Sequence, residues 1–321
     1  MSDTRQEKRK ARMTHPYAQS GVPGELARWG GSGRVGSHTD RTAMYKLLIV
    51  VLLATLGTPH LHAQASAIPS AQTSVDINDP TAGRKLLDEM VTALGGPLWL
   101  NRTDYSANGQ AGTFYKGTAN PYVFQFERYI RLEPFGERQI IVSKQGVIIP
   151  TTKRDVAEIW TAGKGYEVTY KGKKDLPEKD VTEFFLYQRH SLDTVMLQWL
   201  KQPGILINYL GTEFVDRKVA DKVSILTTDN DGVTLDLDES THLPISLTFQ
   251  WRDPTYHDFN TEVQEYDDYH PIQGIMTALT LTRFHNGDMT NQTYLKEVHY
   301  NIHFPPDLLD PDRPLSRNAR K

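Results

Sequence analysis

The stretch Tyr122-Val123-Phe124-Gln125-Phe126-Glu127-Arg128-Tyr129-Ile130-Arg131-Leu132 decides the fold. Its residues alternate. Phe124, Phe126, Ile130 and Leu132 share one face with Arg128, while Val123, Gln125, Glu127, Tyr129 and Arg131 share the other. Successive side chains of an extended chain point to opposite faces, so this is a strand with one face on an apolar interior. A guanidinium on that apolar face is costly to bury alone, so Arg128 needs an acceptor or a cavity to line. A rim position from which it reaches water is the plain alternative.

Outward from this stretch the period of two continues. Residues 104–112 and 113–117 precede it as short strands broken by glycine. Residues 138–144, 158–161 and 165–170 follow, with Gly136, Gly146, Gly163 and Gly172 at the turns. A second series covers 208–214, 222–228, 233–238, 245–252, 262–269, 276–284 and 293–304. Its turns are Asp229-Asn230-Asp231-Gly232, Asp253-Pro254 and Asn286-Gly287-Asp288. Asn-Gly accepts the positive φ of a tight hairpin turn.

Two helical patterns interrupt the strands. In the first, Leu86, Leu87, Met90, Val91 and Leu94 recur at helical spacing. Asp79-Pro80 reads as its cap and first position, and Gly95-Gly96 as its stop. The second lies between Pro177 and Pro203-Gly204, with a stripe of Val181, Phe184, Phe185, Leu192, Val195, Met196, Trp199 and Leu200 and a break near His190-Ser191. Such a stripe is core in most proteins; its aromatic and Met content also suits an apolar ligand. Short connections favour one antiparallel sheet, and ten or eleven strands curl toward a barrel. The expected fold is α+β, mainly β: a single curled antiparallel sheet, a half-open barrel over 79–306, with an N-terminal helix and a helical lid insertion.

The chain has 321 residues and no cysteine, so it has neither disulfides nor a thiolate nucleophile, and no cysteine for a diacylglycerol anchor. From Met44 it reads as a basic start, an apolar run over 47–56 and the triplet Ala63-Gln64-Ala65, the order of an export signal. That apolar run spans only about 15 Å as a helix, half a bilayer core. Residues 1–43 are basic and lack apolar periodicity; they read as a disordered leader, or the start lies at Met44. Residues 66–78 read as a flexible lead-in and 307–321 as a basic tail. From Ser66 onward 27 basic residues face 35 acidic ones, a net charge of −8 that disfavours nucleic acid.

No catalytic or metal-binding constellation stands out. His299 and His303 are four apart but fall on a strand pattern with no Glu completing a zinc motif. The acidic run around Asp229, Asp231, Asp236 and Asp238 lacks the calcium-loop register. Tyr256-His257-Asp258 and Asp267-Asp268-Tyr269-His270 have no partner serine in a nucleophile elbow. No enzyme, cofactor or metal is expected.

Several weak motifs taken together carry a resemblance over most of 80–306. They are Ala93-Leu94-Gly95-Gly96, Asn120-Pro121-Tyr122-Val123-Phe124 with Arg128 behind it, Trp160-Thr161-Ala162-Gly163-Lys164-Gly165-Tyr166, and Leu235-Asp236-Leu237-Asp238 with Thr241-His242-Leu243-Pro244. Gly274-Ile275-Met276 and Asn301-Ile302-His303-Phe304-Pro305 complete the set. The layout resembles the LolA/LolB-like family of periplasmic lipoprotein carriers and receptors, especially the outer membrane lipoprotein-sorting variants. The resemblance implies a half-open barrel closed by helices around an apolar cavity, with acylated protein or lipid as ligand and envelope proteins as partners. It also implies an arginine inside the barrel that pairs with the lid, matched here by Arg128. The long helical insertion, the longer chain and Tyr166, where a tryptophan is common, depart from the family pattern. The expected cavity residues are Phe124, Phe126, Arg128, Ile130, Phe184, Phe185, Met196 and Trp199. The alternative is a structural or interaction module of the envelope, its sheet filled by its own side chains.

Overall fold

A computed structural model describes residues 79, 81–145, 156–253 and 257–313. The leader, signal and lead-in expected over 1–78 and the last part of the basic tail lie outside the described residues. The first helix, α1, covers Ala82–Leu94. Thr81 stands at its N-cap without a side-chain bond to the backbone of the helix's first turn. Asp79, expected as the cap, acts one turn earlier: its Oδ1 accepts from the Thr81 backbone N–H at 2.8 Å and the Thr81 hydroxyl at 2.6 Å. Gly95 ends the helix at φ 122°, and the Gly96 N–H returns to the Val91 carbonyl at 2.8 Å. A Cβ at Gly95 would meet the Gly274 carbonyl at 2.6 Å, so only glycine brings this helix end so close to the sheet. A single turn, α2 (Pro97–Leu100), follows and buries Trp99.

Among the described residues thirteen strands form one antiparallel sheet, against the ten or eleven expected. They are β1 Asp104–Tyr115, β2 Thr118–Arg131, β3 Gly136–Gln145, β4 Val156–Thr161, β5 Lys164–Thr169, β6 Gly172–Asp175, β7 Leu206–Val215, β8 Lys218–Leu226, β9 Gly232–Asp238, β10 Pro244–Arg252, β11 Phe259–Ile272, β12 Ile275–His285 and β13 Asp288–Tyr300. The expected break at Gly112 does not occur. β1 runs through it because it is held on both sides, by β2 and by β13. The Asn286-Gly287 turn joins β12 to β13 with φ 51° and 86°, the positive angles its sequence asks for.

The strand order is β6-β5-β4-β3-β2-β1-β13-β12-β11-β10-β9-β8-β7. Each half is a meander of neighbouring hairpins, and the halves meet where β1 pairs β13, Tyr105 opposite Tyr300. Consecutive strands β6 and β7 therefore lie at opposite free edges. The chain between them carries α3 (Glu178–Arg189), α4 (Leu192–Leu197) and a 3-10 turn (Trp199–Lys201), which cross from one edge to the other. The break falls at His190 and Ser191, as expected; the Ser191 hydroxyl caps α4 by accepting from the Thr194 N–H.

The inner face is packed unevenly. Over β7 to β10 it is filled by Leu87 and Met90 of α1, Val195 and Met196 of α4, and Trp199, against Val223, Leu235 and Leu247. Burying each such side chain contributes roughly 1.5–3 kcal/mol. Over β1 to β4 the covering is looser: α3, none of whose residues is buried, lies over a chamber that Asp193, Thr194 and Leu197 of α4 also line. On the outer face, Ala157, Ile159 and Val168 form a smaller core. Beside it lies the chain after β13: a 3-10 turn over Pro306–Leu309 buries Leu309 against Gly136, and the Arg138 Nη1 donates to the Leu308 carbonyl at 2.8 Å.

Candidate functional site: a two-chambered trough under the lid

Alternation along β2, β3 and β4 sends every second residue into the trough. Arg128 stands opposite Gln139, Gln139 opposite Glu158, and Glu137 opposite Trp160. Trp160 fixes the lid: the Phe184 ring of α3 stacks on it at 4.0 Å and 5°, and Phe135 and Phe185 close around Phe184 at 6.1 and 5.3 Å. Beneath the lid lies a chamber of about 390 Å³, lined by Arg128, Ile130, Glu137, Glu158, Phe184 and Gln188 among others. A second chamber of about 250 Å³ sits toward β10–β13, with Leu94, Leu247, Phe249, Tyr266, Leu281 and Val298 in its walls. Arg102, Tyr105, Tyr187, Ser191, Asp193 and Arg283 border both chambers.

The first chamber is polar and its charges are mostly matched. Arg128 donates to the Gln139 Oε1 at 3.1 and 2.5 Å and faces the Glu137 Oε1 at 3.1 Å. Burial raises the Glu137 carboxyl; Arg128 and Arg283 act against that. Glu158 is pushed up to about 7, first by burial and then by the charges of Glu137, Glu167 and Asp180, with Arg128 opposing.

The lid is tied at its middle. Arg102 is buried, donates through Nε to the Trp99 carbonyl at 2.8 Å, and pairs through Nη2 with Asp193 of α4 at 2.6 Å. Burial opposes its charge, but Asp193 and the neighbouring tyrosines hold it above the ordinary arginine range. His190, at the break between α3 and α4, stacks on Phe249 at 4.2 Å, donates to the Leu186 carbonyl at 2.7 Å and meets Asp231 at 2.7 Å. Arg189 reaches the same carboxylate at 2.7 Å. The Asp229–Gly232 turn, which read as a plain hairpin, thus anchors the lid as well.

Of the eight expected cavity residues, Arg128, Ile130 and Phe184 line the first chamber. Phe185 backs Phe184 from within the lid. Phe126 is fully buried, with Phe124 at 6.4 Å and the Arg128 guanidinium 5.0 Å from its ring. Met196 and Trp199 belong to the packed core and border neither chamber. Arg128 is not the arginine that holds the lid: its partners are on β3, and the lid is held by Arg102. Arg102 precedes β1, outside any alternating pattern, so periodicity carries no sign of it. Glu137, Glu158, Glu262 and Arg283 were also missed, because on these strands both faces carry polar residues; Tyr187 of α3 was missed because it lay outside the apolar stripe singled out on that helix.

Among the described residues no group of three or more His, Asp or Glu could hold a metal ion, and no helix is long and apolar enough to cross a membrane.

No protein-family model matches the chain, and no curated protein matches it in sequence. Solved structures do match in fold. A DUF1329 family protein from Desulfovibrio piger is 12% identical with a TM-score of 0.47, covering 72% of this chain and 97% of that one. A LolA superfamily protein from Nitrosomonas europaea is 12% identical with a TM-score of 0.43, covering 71% of this chain and 96% of that one.

Proposed function

We propose that this protein is an exported, periplasmic binding protein that carries an acylated or otherwise apolar ligand between its curled sheet and its lid. The observation that carries the reading is the chamber of about 390 Å³ beneath a helix with no buried residue. That volume lies within the roughly 300–1,000 Å³ usual for ligand sites, whereas a self-filled sheet would leave no such space. The adjoining apolar chamber gives a hydrocarbon chain somewhere to go, and each buried methylene contributes about 0.8 kcal/mol. The lid releases cargo by parting Phe184 from Trp160 while Arg102 and Asp193 keep its middle in place. The apolar run over 47–56 followed by Ala63-Gln64-Ala65 reads as an export signal and supports work outside the cytoplasm.

Native mass spectrometry of protein isolated from its own envelope tests the reading. A co-purifying lipid or acylated peptide is the expected result. Ligand-free protein that also takes up no acyl probe would sink it. Sequencing the N-terminus of the same sample checks cleavage after Ala65.

A further inference from the structure

Three arginines face the trough, and one differs from the others. Arg102 is paired with Asp193 and Arg128 with Glu137. Arg283 projects inward from β12, opposite Gln264 of β11, and borders both chambers. Its guanidinium lies 4.2 Å from the centre of the Tyr187 ring and has no carboxylate within ion-pair distance among the described residues.

A second group waits one ring away. Glu262 of β11 is 1% exposed and borders the apolar chamber. Its Oε1 accepts from the Tyr187 hydroxyl at 2.9 Å and from the His285 Nδ1 at 2.5 Å. Its Oε2 is buried without a hydrogen-bond partner among the described residues. A buried polar atom left unpaired is costly. Here that cost falls in the wall of the apolar chamber, near the Arg283 guanidinium, whose charge acts on both Glu137 and Glu262.

We propose that Arg283 and Glu262 form a head-group anchor for a long-chain carboxylic acid, whose hydrocarbon tail lies in the chamber walled by Leu247, Phe249, Tyr266 and Leu281. This rests on the reading of the trough as an apolar-chain site and adds the chemistry of the head. One ligand oxygen takes the charge-assisted hydrogen bond from Arg283, and the other meets Glu262 Oε2. Oε1 already takes two donors, so the acid proton of Glu262 belongs on Oε2, where it donates to the ligand. Burial, the leading influence on Glu262, favours that protonated form; its hydrogen bonds and Arg283 act against it.

The test is competition of laurate, dodecanol and dodecylamine against a fluorescent acyl probe on the full chain. Laurate is expected to bind about tenfold or more tightly than dodecanol, the usual reach of one charge-assisted hydrogen bond. Arg283→Met should remove that advantage and leave dodecanol unchanged; Glu262→Gln, whose amide keeps an acceptor for Tyr187 and His285 and a donor toward the ligand, should retain it, whereas Glu262→Met should weaken laurate selectively. If Arg283→Met does not fold, Arg283→Lys serves, with a smaller loss confined to laurate. Equal binding of laurate and dodecanol, a preference for dodecylamine, or a variant that weakens all probes alike overturns the anchor and leaves the apolar-chain reading standing. No binding by any probe overturns both.

Discussion

At the scale of single residues, the trough is governed by charges inside an apolar shell. Removing one partner of a buried pair strands the other without solvent, which costs more than the pair itself contributes. Arg102→Met is therefore expected to destabilise the protein by about 3 kcal/mol in urea unfolding, and Asp193→Leu in the same background should recover part of the loss. Glu158 sets a pH dependence. Its folded value of about 7 stands above its ordinary 4.5, so its ionised form is disfavoured by folding. Its contribution is neutral below about pH 4.5, becomes destabilising as pH rises, and reaches its full size above about 7. Glu158→Gln should stabilise the protein by up to about 3 kcal/mol at pH 8 and by almost nothing at pH 4, measured as the difference between two urea curves. An equal gain at both pH values would contradict this account.

At the scale of elements, α1 and α3 have opposite characters. α1 sinks Leu86, Leu87, Met90 and Leu94 into the core, whereas α3 rests on the sheet through half-exposed aromatic rings. Amide exchange should show α3 opening well before α1, and a bound acyl ligand should slow α3 selectively. The elements that were legible in the sequence have local causes. The Leu86–Leu94 spacing gave α1, Asn286-Gly287 gave the last hairpin, and His190-Ser191 gave the break in the lid. β6 was not legible, because Gly172-Lys173-Lys174-Asp175 contains no apolar residue and is extended only through pairing with β5. The inward polar residues were hidden for a related reason. In Glu137-Arg138-Gln139 all three positions are polar, yet Arg138 is buried on the outer face against Leu308 while its neighbours face the trough. Of the cavity's apolar side, Ile130 and Leu132 could be read from the alternation that starts at Phe124, whereas Phe124 and Phe126 of that face line neither chamber; the charged side depends on partners far away in sequence.

At the scale of the whole molecule, the two edges of the sheet are unpaired among the described residues, and the lid connects them through the covalent chain. The spread of the trough is limited by the reach of residues 176–205. The halves nonetheless have a second joint, the β1–β13 ladder. Limited proteolysis within the lid should therefore give two fragments that co-elute under native conditions and part in urea. Separation without denaturant would show that the ladder alone does not hold the halves.

That ladder also orders the birth of the molecule. The two meanders can zip from nearest neighbours as they emerge, but β1 has to wait for the last strand synthesised before its second side is matched. A chain stopped short of Asp288 would leave β1, with its row of alanines and glycines, as a bare template for any strand that came near. Damage at the far C-terminal end should thus appear as clumping that begins at the front of the domain.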